Sequence, residues 1–302
     1  MTDEPKVSII SPCYNGEKYL HNFLESLILQ NYSNVEFYFV DDGSTDNTKD
    51  IFYSYIPKLE EKGWFVKYIF KENGGIASAI NVALPLILGK YFIWPDSDDI
   101  LYPNHIAEKV KYMEENQEYG IAYCDIDNVK ISDIENIIKT NDLGKNHKNA
   151  FNNILNNRLW VYAPIGVIVR CIALDDVIPD RKIPDCQGGQ NCQIQMPILY
   201  KYKCGYINQS LGKYVIRSDS HSRTNQSRFL KRRIQLIEIW IATILTLRYA
   251  TKFEKFRFIL TALKTNILMI ISHYLMKIFS IKNKKKRIII TILGIKIKLR
   301  KR

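Results

Sequence analysis

A chain of 302 residues, 46% of them hydrophobic, is long enough to bury one large core or two modest ones, which excludes disorder throughout. The formal net charge of +12 is unevenly held: residues 201–302 carry 25 Lys and Arg against 3 Asp and Glu, a net +22, and residues 1–200 carry 18 against 28, a net −10. The two parts are therefore expected to meet different partners.

The opening MTDEPKVSII puts acids where a secretory signal needs a basic end, and its apolar run is too short for a signal core. A cytosolic protein, or one attached to the cytosolic side of a membrane, is expected. Cys13, Cys124, Cys171, Cys186, Cys192 and Cys204 contain no CxxC pair. Reduced, mostly buried thiols are the expectation, with a zinc site from Cys186, Cys192 and Cys204 as the minor alternative.

In chain order, KVSIISPCYN is an apolar run stopped by a proline and an Asn-Gly turn signal, which predicts a buried strand entering a loop. Tyr19, Leu20, Phe23, Leu24, Leu27 and Ile28 then recur at helical spacing. VEFYFVDDGSTDNT gives a second strand ending in Asp41-Asp42-Gly43, followed by a helix over 46–62. WFVKYIF, a glycine turn at 74–75, a helical stretch over 76–88 and the strand KYFIWP repeat the unit. This alternation predicts an α/β fold with a mainly parallel sheet flanked by helices on both faces. Ligands in such sheets bind at the carboxyl ends of the strands, and PCYNGE, DDGSTD, KENGG and DSDD all fall there.

Beyond residue 120, GIAYCDIDNVKI and PIGVIVR read as strands, and 132–160 is Asn-rich with one amphipathic piece near 150–160. From 228 onward, two helices rich in aliphatic residues precede KNKKKR and a β-like piece, IIITILGIKIKLRKR.

The run YFIWPDSDDI places Asp96, Asp98 and Asp99 within four positions. One aspartate would suffice to cap the following helix, and three like charges repel. An acid/base pair needs surroundings that separate the two pKa values, which no part of the sequence displays. Mg²⁺ or Mn²⁺ fits hard carboxylate ligands best and relieves the repulsion; its natural co-ligand is a diphosphate, hence a nucleotide substrate.

These motifs, VSIISPCYNGEKYLHNFLESLILQNYSNVEFYFVDDGSTDNT, KENGGIASAIN and WPDSDD in that order, resemble glycosyltransferase family 2, which uses the GT-A fold; the likeness covers roughly residues 5–125. The resemblance implies an inverting, metal-dependent enzyme that moves a hexose from a UDP-sugar, with Mn²⁺ or Mg²⁺ as cofactor. It places Pro12, Asn15 and Glu17 at the nucleoside, Asp42 with Asp41 beside it at the uracil, and Asn73 and Gly75 at ribose and phosphates. Asp96 falls near ribose and metal, Asp98 is the metal ligand, and Asp99 faces the donor sugar. Residues 1–125 would be the nucleotide-sugar half and 126–225 the acceptor half of one catalytic domain.

The family's base usually belongs to a Glu-Asp pair, and Gln190-Asn191 stand there instead; neither amide can take a proton. The surrounding GGQNCQIQMPILYKYKCGYI resembles a variant of bacterial polysaccharide transferases, in which the amides would bind acceptor. Asp185 is then the first candidate for the base, with Asp180 and Asp99 behind it. His221 falls where relatives place a polar loop that closes over the diphosphate, a surface histidine being the alternative, and the nearby Arg217 and Arg223 could pair with phosphate. The alternative is a catalytically silent nucleotide-sugar-binding or scaffolding protein.

Residues 226–302 are expected to lie on the cytoplasmic face of a bacterial inner membrane as a peripheral, helical, basic extension, with Lys282, Lys284, Lys285, Lys286 and Arg287 against anionic lipid. Lys264, His273 and Lys277 argue against a full span. Packing of the two helices on the catalytic domain is the competing expectation. A membrane position implies a polyprenyl-diphosphate-linked sugar, GlcNAc or GalNAc, as acceptor in O-antigen or capsule assembly. No nucleic-acid partner is expected.

Overall fold

The computed structural model describes residues 4–141, 147–156, 163–185, 189–217, 229–284, 287–292 and 295–300. Four strands, β1 (Val7–Cys13), β2 (Val35–Asp41), β3 (Phe65–Phe70) and β4 (Tyr91–Ile93), run parallel in the order β3-β2-β1-β4. Helices α1 (Leu20–Ile28), α2 (Thr48–Glu60) and α3 (Ile76–Ala83) connect them, so the three expected strand-helix units form. Successive strand side chains face opposite ways, which accounts for the unbroken burial of β1 and β2. Ile9, Phe37 and Phe39 pack with α1 and α2, whereas Ile10, Tyr38 and Val40 pack with α3. Phe39 stacks on Phe52 of α2 with ring centroids 4.2 Å apart, which seats that helix.

The remainder of the sheet is mixed. It continues from β4 through β8 (Val167–Arg170), β6 (Tyr119–Lys130) and β9 (Lys203–Ile216) to β5 (Ile100–Leu101), with β7 (Asp133–Asn141) hairpinned onto β6. Strand β8 is antiparallel to both neighbours, and β6 and β9 are parallel. Strand β9 has no counterpart in the sequence reading, because Gly205 and Gly212 interrupt its apolar pattern. Both glycines admit close neighbours: a Cβ would lie 2.6 Å from the Tyr112 ring and 2.7 Å from Ile165, respectively.

Helices α4 (His105–Glu115), α5 (Ala150–Leu155), α6 (Cys171–Val177) and α7 (Gln190–Lys201) cover this half. Helices α8 (Phe229–Thr246) and α9 (Lys252–Ile278) follow, then β10 (Phe279–Lys284), β11 (Arg287–Ile292) and β12 (Ile295–Arg300) as an antiparallel meander where one β-like piece was expected. Ile239, Trp240, Ile244, Leu247, Phe258 and Ala262 of the two helical segments and their link join the core formed with α5, α6 and α7. The packing expectation for these helices is thus met on one of their faces. Cys13, Cys124, Cys171, Cys192 and Cys204 are buried and free, while Cys186 lies outside the described residues.

One buried polar group ties α4 to the β8 and β9 segments of the mixed part of the sheet. Lys109 of α4 is fully buried, and its ammonium donates to Nε2 of His105 at 2.9 Å and to the carbonyls of Ile165 and Val167 at 2.6 and 3.1 Å. His105 donates from Nδ1 to the Leu211 carbonyl at 2.7 Å, so its Nε2 accepts and the ring is neutral. Burial pushes the Lys109 ammonium down to about 8 and, with the Lys109 charge, holds His105 well below the usual imidazole range. Because the unfolded His105 binds a proton that the native ring refuses, stability should fall as pH drops below the unperturbed value of about 6.5. Lys109→Met leaves two carbonyls and an imidazole unpaired, and should cost about 3 kcal/mol in denaturant unfolding. An unchanged midpoint would refute this role.

Candidate active site

Parallel pairing sets the carboxyl ends of β1, β2, β3 and β4 side by side, and the four polar loops meet there. The first two loops are laced together. Asn15 sits in the left-handed region at φ 50°, its amide donates to Ser44 Oγ at 2.9 Å, and its side-chain oxygen accepts from the Thr45 amide at 2.9 Å. The Gly16 amide donates to Thr48 Oγ1 at 2.7 Å, and a Cβ there would lie 2.4 Å from Cys13 Sγ. Glu17 accepts from the amide and side chain of Asn47 at 3.2 and 3.0 Å. Pro12 is buried within β1 opposite Val40. Asn15 and Glu17, expected at a nucleoside, therefore also build the wall between the two loops.

Asp41 accepts from the Ser44 amide at 2.8 Å and from Tyr68 Oη at 2.6 Å. Asp42 organises the third loop: it pairs with Lys71 Nζ at 2.6 Å and accepts from the amides of Gly74 and Gly75 at 3.0 and 2.7 Å. Gly43 (φ 82°) presses against the same loop, since a Cβ there would lie 2.7 Å from the Asn73 nitrogen. Asn73 itself is exposed, and Gly75 turns through φ 87° to start α3. The sequence assigned no role to Tyr68, which lies in β3 and carries no motif, or to Lys71, although Lys71 opens the KENGG cluster.

The fourth loop carries the acids. Asp96, Asp98 and Asp99 each offer a carboxylate oxygen within 4.8 Å of the others. Asp98 pairs with Arg217 Nε at 2.9 Å, and that guanidinium lies over the Tyr19 ring, 4.0 Å from its centroid. One Asp99 oxygen accepts from the Val215 amide at 3.2 Å; the other is buried with no hydrogen-bond partner among the described residues. Burial first, and then the Asp98 charge, pushes the Asp96 carboxyl up to about 7, with Arg217 opposing. The same burial, with Asp98 and Asp96 beside it, holds Asp99 well above the usual carboxylate range. Three hard oxygen donors whose mutual repulsion outweighs one guanidinium, with an unpartnered oxygen among them, fit a divalent cation.

Gln190 and Asn191 begin α7. Asn191 accepts from Trp94 Nε1 at 2.9 Å, so it buttresses the strand end that bears the acids, and Gln190 is buried. Further along α7, Gln195 accepts from Tyr123 Oη at 2.8 Å, while the side-chain amide of Gln193 is buried with no hydrogen-bond partner among the described residues. Asp185 and Asp180 are exposed; the segment before Asp185 is anchored where Ile183 exchanges two hydrogen bonds of 2.9 Å with Asn81. His221 and Arg223 lie outside the described residues.

The profile of the family described as "Glycosyl transferase family 2" matches residues 8–176, more than half of the chain. The chain belongs to glycosyltransferase family 2. An uncharacterized glycosyltransferase of Rickettsia prowazekii is 40% identical over 121 residues, which is 40% of this chain and 36% of that protein. The matched stretch thus spans little more than a third of that family 2 relative's length. Among solved structures, S. aureus TarS 1-349 in complex with UDP-GlcNAc aligns over 87% of this chain and 73% of its own, with a TM-score of 0.63 and 20% identity. The mannosyltransferase PcManGT of Pyrobaculum calidifontis, in complex with GDP-Man and Mn²⁺, aligns over 91% and 76% with a TM-score of 0.57 and 17% identity. These likenesses establish the GT-A fold. The family 2 profile covers Pro12, Asn15, Glu17, Asp41, Asp42, Asn73, Gly75, Asp96, Asp98 and Asp99, and stops before Asp185, Gln190, Asn191 and Arg217.

Proposed function

We propose that this family 2 protein is an inverting, metal-dependent hexosyltransferase that moves glucose or galactose from a UDP-sugar to a polyprenyl-diphosphate-linked GlcNAc or GalNAc, forming a β-linkage. The observation that carries the reading is the trio Asp96, Asp98 and Asp99 on the rim where the first three loops converge. Asp96 and Asp98 would hold Mn²⁺ or Mg²⁺. The cation supplies positive charge to the departing diphosphate. The first three loops would seat the nucleoside and phosphates, with the Gly74 and Gly75 backbone held in place by Asp42.

For the base, Asp99 stays a candidate beside Asp185, because its unpartnered oxygen lies in the acid cluster, whereas Asp185 is exposed. Asn191 supports the site through Trp94, and Gln190 remains a candidate for holding acceptor. TarS and PcManGT crystallised with nucleotide-sugars support the donor class by analogy of fold. The basic carboxyl-terminal third supports a peripheral position at the cytoplasmic face of a bacterial inner membrane, where O-antigen or capsule units are built. No helix among the described residues is long and apolar enough to cross a membrane.

Purified protein incubated with UDP-glucose or UDP-galactose, a GlcNAc- or GalNAc-diphosphate-polyprenol and Mn²⁺ should yield a β-linked disaccharide. Asp99→Asn and Asp185→Asn, compared in the same assay, assign the base by which of them abolishes turnover while donor binding persists. Donor binding without turnover for any acceptor would instead favour the silent reading, for which the amides at 190 and 191 speak.

A further inference from the structure

Helix α9 packs on the domain with one face and leaves the opposite face apolar and uncovered. Phe258, Ala262 and Asn266, spaced by four residues, are buried, and Asn266 accepts from Arg233 of α8 at 3.4 Å. Phe253, Phe256, Leu260, Lys264, Ile267 and Ile271 recur at steps of three and four, which aligns them on the other side over about 27 Å of helix. The apolar members of this row, with Leu268 beside them, are between 49% and 73% exposed.

Charge chooses the occupant of this face. Lys264 is exposed within it, Arg257 is exposed at its edge with the guanidinium 5.5 Å from the Phe258 ring centroid, and Lys252 is exposed at its amino-terminal end. The acid of α9, Glu254, is turned away to Thr251 and to Tyr200 Oη. From Lys277 to the carboxyl terminus the sequence adds 11 Lys and Arg and no acid. Lys264 within the row and Arg257 at its edge argue against burial across a bilayer, and large apolar side chains flanked by cations match a helix lying in the headgroup layer of an anionic membrane. We infer that the outward face of α9 is the membrane-binding surface of this protein and takes an anionic lipid bilayer, with Phe253, Phe256, Leu260, Ile267 and Ile271 entering the interface. This rests on, and sharpens, the peripheral-membrane reading above. It assigns the contact to one helix face rather than to the basic tail, whose charges would add attraction at longer range.

The test is co-sedimentation of the full chain with vesicles of phosphatidylcholine alone or with phosphatidylglycerol. The wild type should bind the anionic vesicles only, and less so at high salt. The variant Phe253→Ser/Phe256→Ser/Leu260→Ser should bind at least about tenfold more weakly with an unchanged thermal midpoint, since these side chains are already solvent-exposed. As a second reading, L260W should be quenched by brominated lipid. Wild-type binding that the triple variant leaves intact, with no quenching of L260W, would overturn the assignment to α9 while the peripheral reading stands. No binding by the wild type overturns both. Self-association in sedimentation velocity that the triple variant abolishes, without vesicle binding, would make the face a contact between copies and overturn the lipid assignment.

Discussion

Asp98→Ala should lower kcat/KM for sugar transfer by about 10³-fold, because the loss removes several kcal/mol of charge stabilisation at the departing diphosphate. The fold should hardly notice. Removing Asp98 leaves Arg217 without that carboxylate, but it also relieves Asp96 and Asp99 of the nearest like charge. A separate readout avoids dependence on turnover: Mn²⁺ at about 100 times its dissociation constant should stabilise the wild type by about 2.7 kcal/mol, and this gain should vanish in the variant. Full activity in Asp98→Ala, or an undiminished Mn²⁺ effect on unfolding, would remove Asp98 from the metal site.

Asp42→Ala should act on both stability and donor binding. The side chains of Asp42 and Lys71 are 6% and 17% exposed, so deleting the carboxylate leaves a largely buried ammonium with the Glu72 carbonyl but no anion, and frees two amides of the third loop. A cost of about 3 kcal/mol in denaturant unfolding follows from breaking a buried pair. Donor KM should rise by at least about tenfold, since the Gly74-Gly75 backbone is no longer held. Asp42→Asn keeps an acceptor and should fall between the two proteins. A variant with wild-type stability and raised KM would show that Asp42 contacts donor without organising the loop.

The half built on β1 to β4 was legible because each part of its message is local. Strand β1 is an apolar run ended by Pro12 and Asn15-Gly16, and Asp41-Asp42-Gly43 and Asp96 to Asp99 stand directly after their strands. Parallel pairing alone then brings those loops together. The other half was harder to read because its signals are distributed over long separations. Strand β9 hides behind two glycines that matter only because Tyr112 and Ile165 approach them. The approach of Arg217 to Asp98 spans 119 positions, and Asn191 meets Trp94 across 97. Arg217 was expected as a group able to pair with phosphate; the geometry seats it on an acid of the cluster.

The union of α8 and α9 with the core also has a consequence in time. A ribosome delivers the chain from the amino terminus, so β1 to β4 and their helices can assemble while the rest is still being made. Helix α7 emerges next, but Gly189 at its start lies against Ile239, and Tyr200 against Phe258, from helices not yet synthesised. The packing around α7 therefore stays incomplete until α8 and α9 have been made. A nascent chain carries its four rim loops long before it can finish the packing around α7, and a chain stopped ahead of α8 lacks that packing while keeping every residue of the acid cluster.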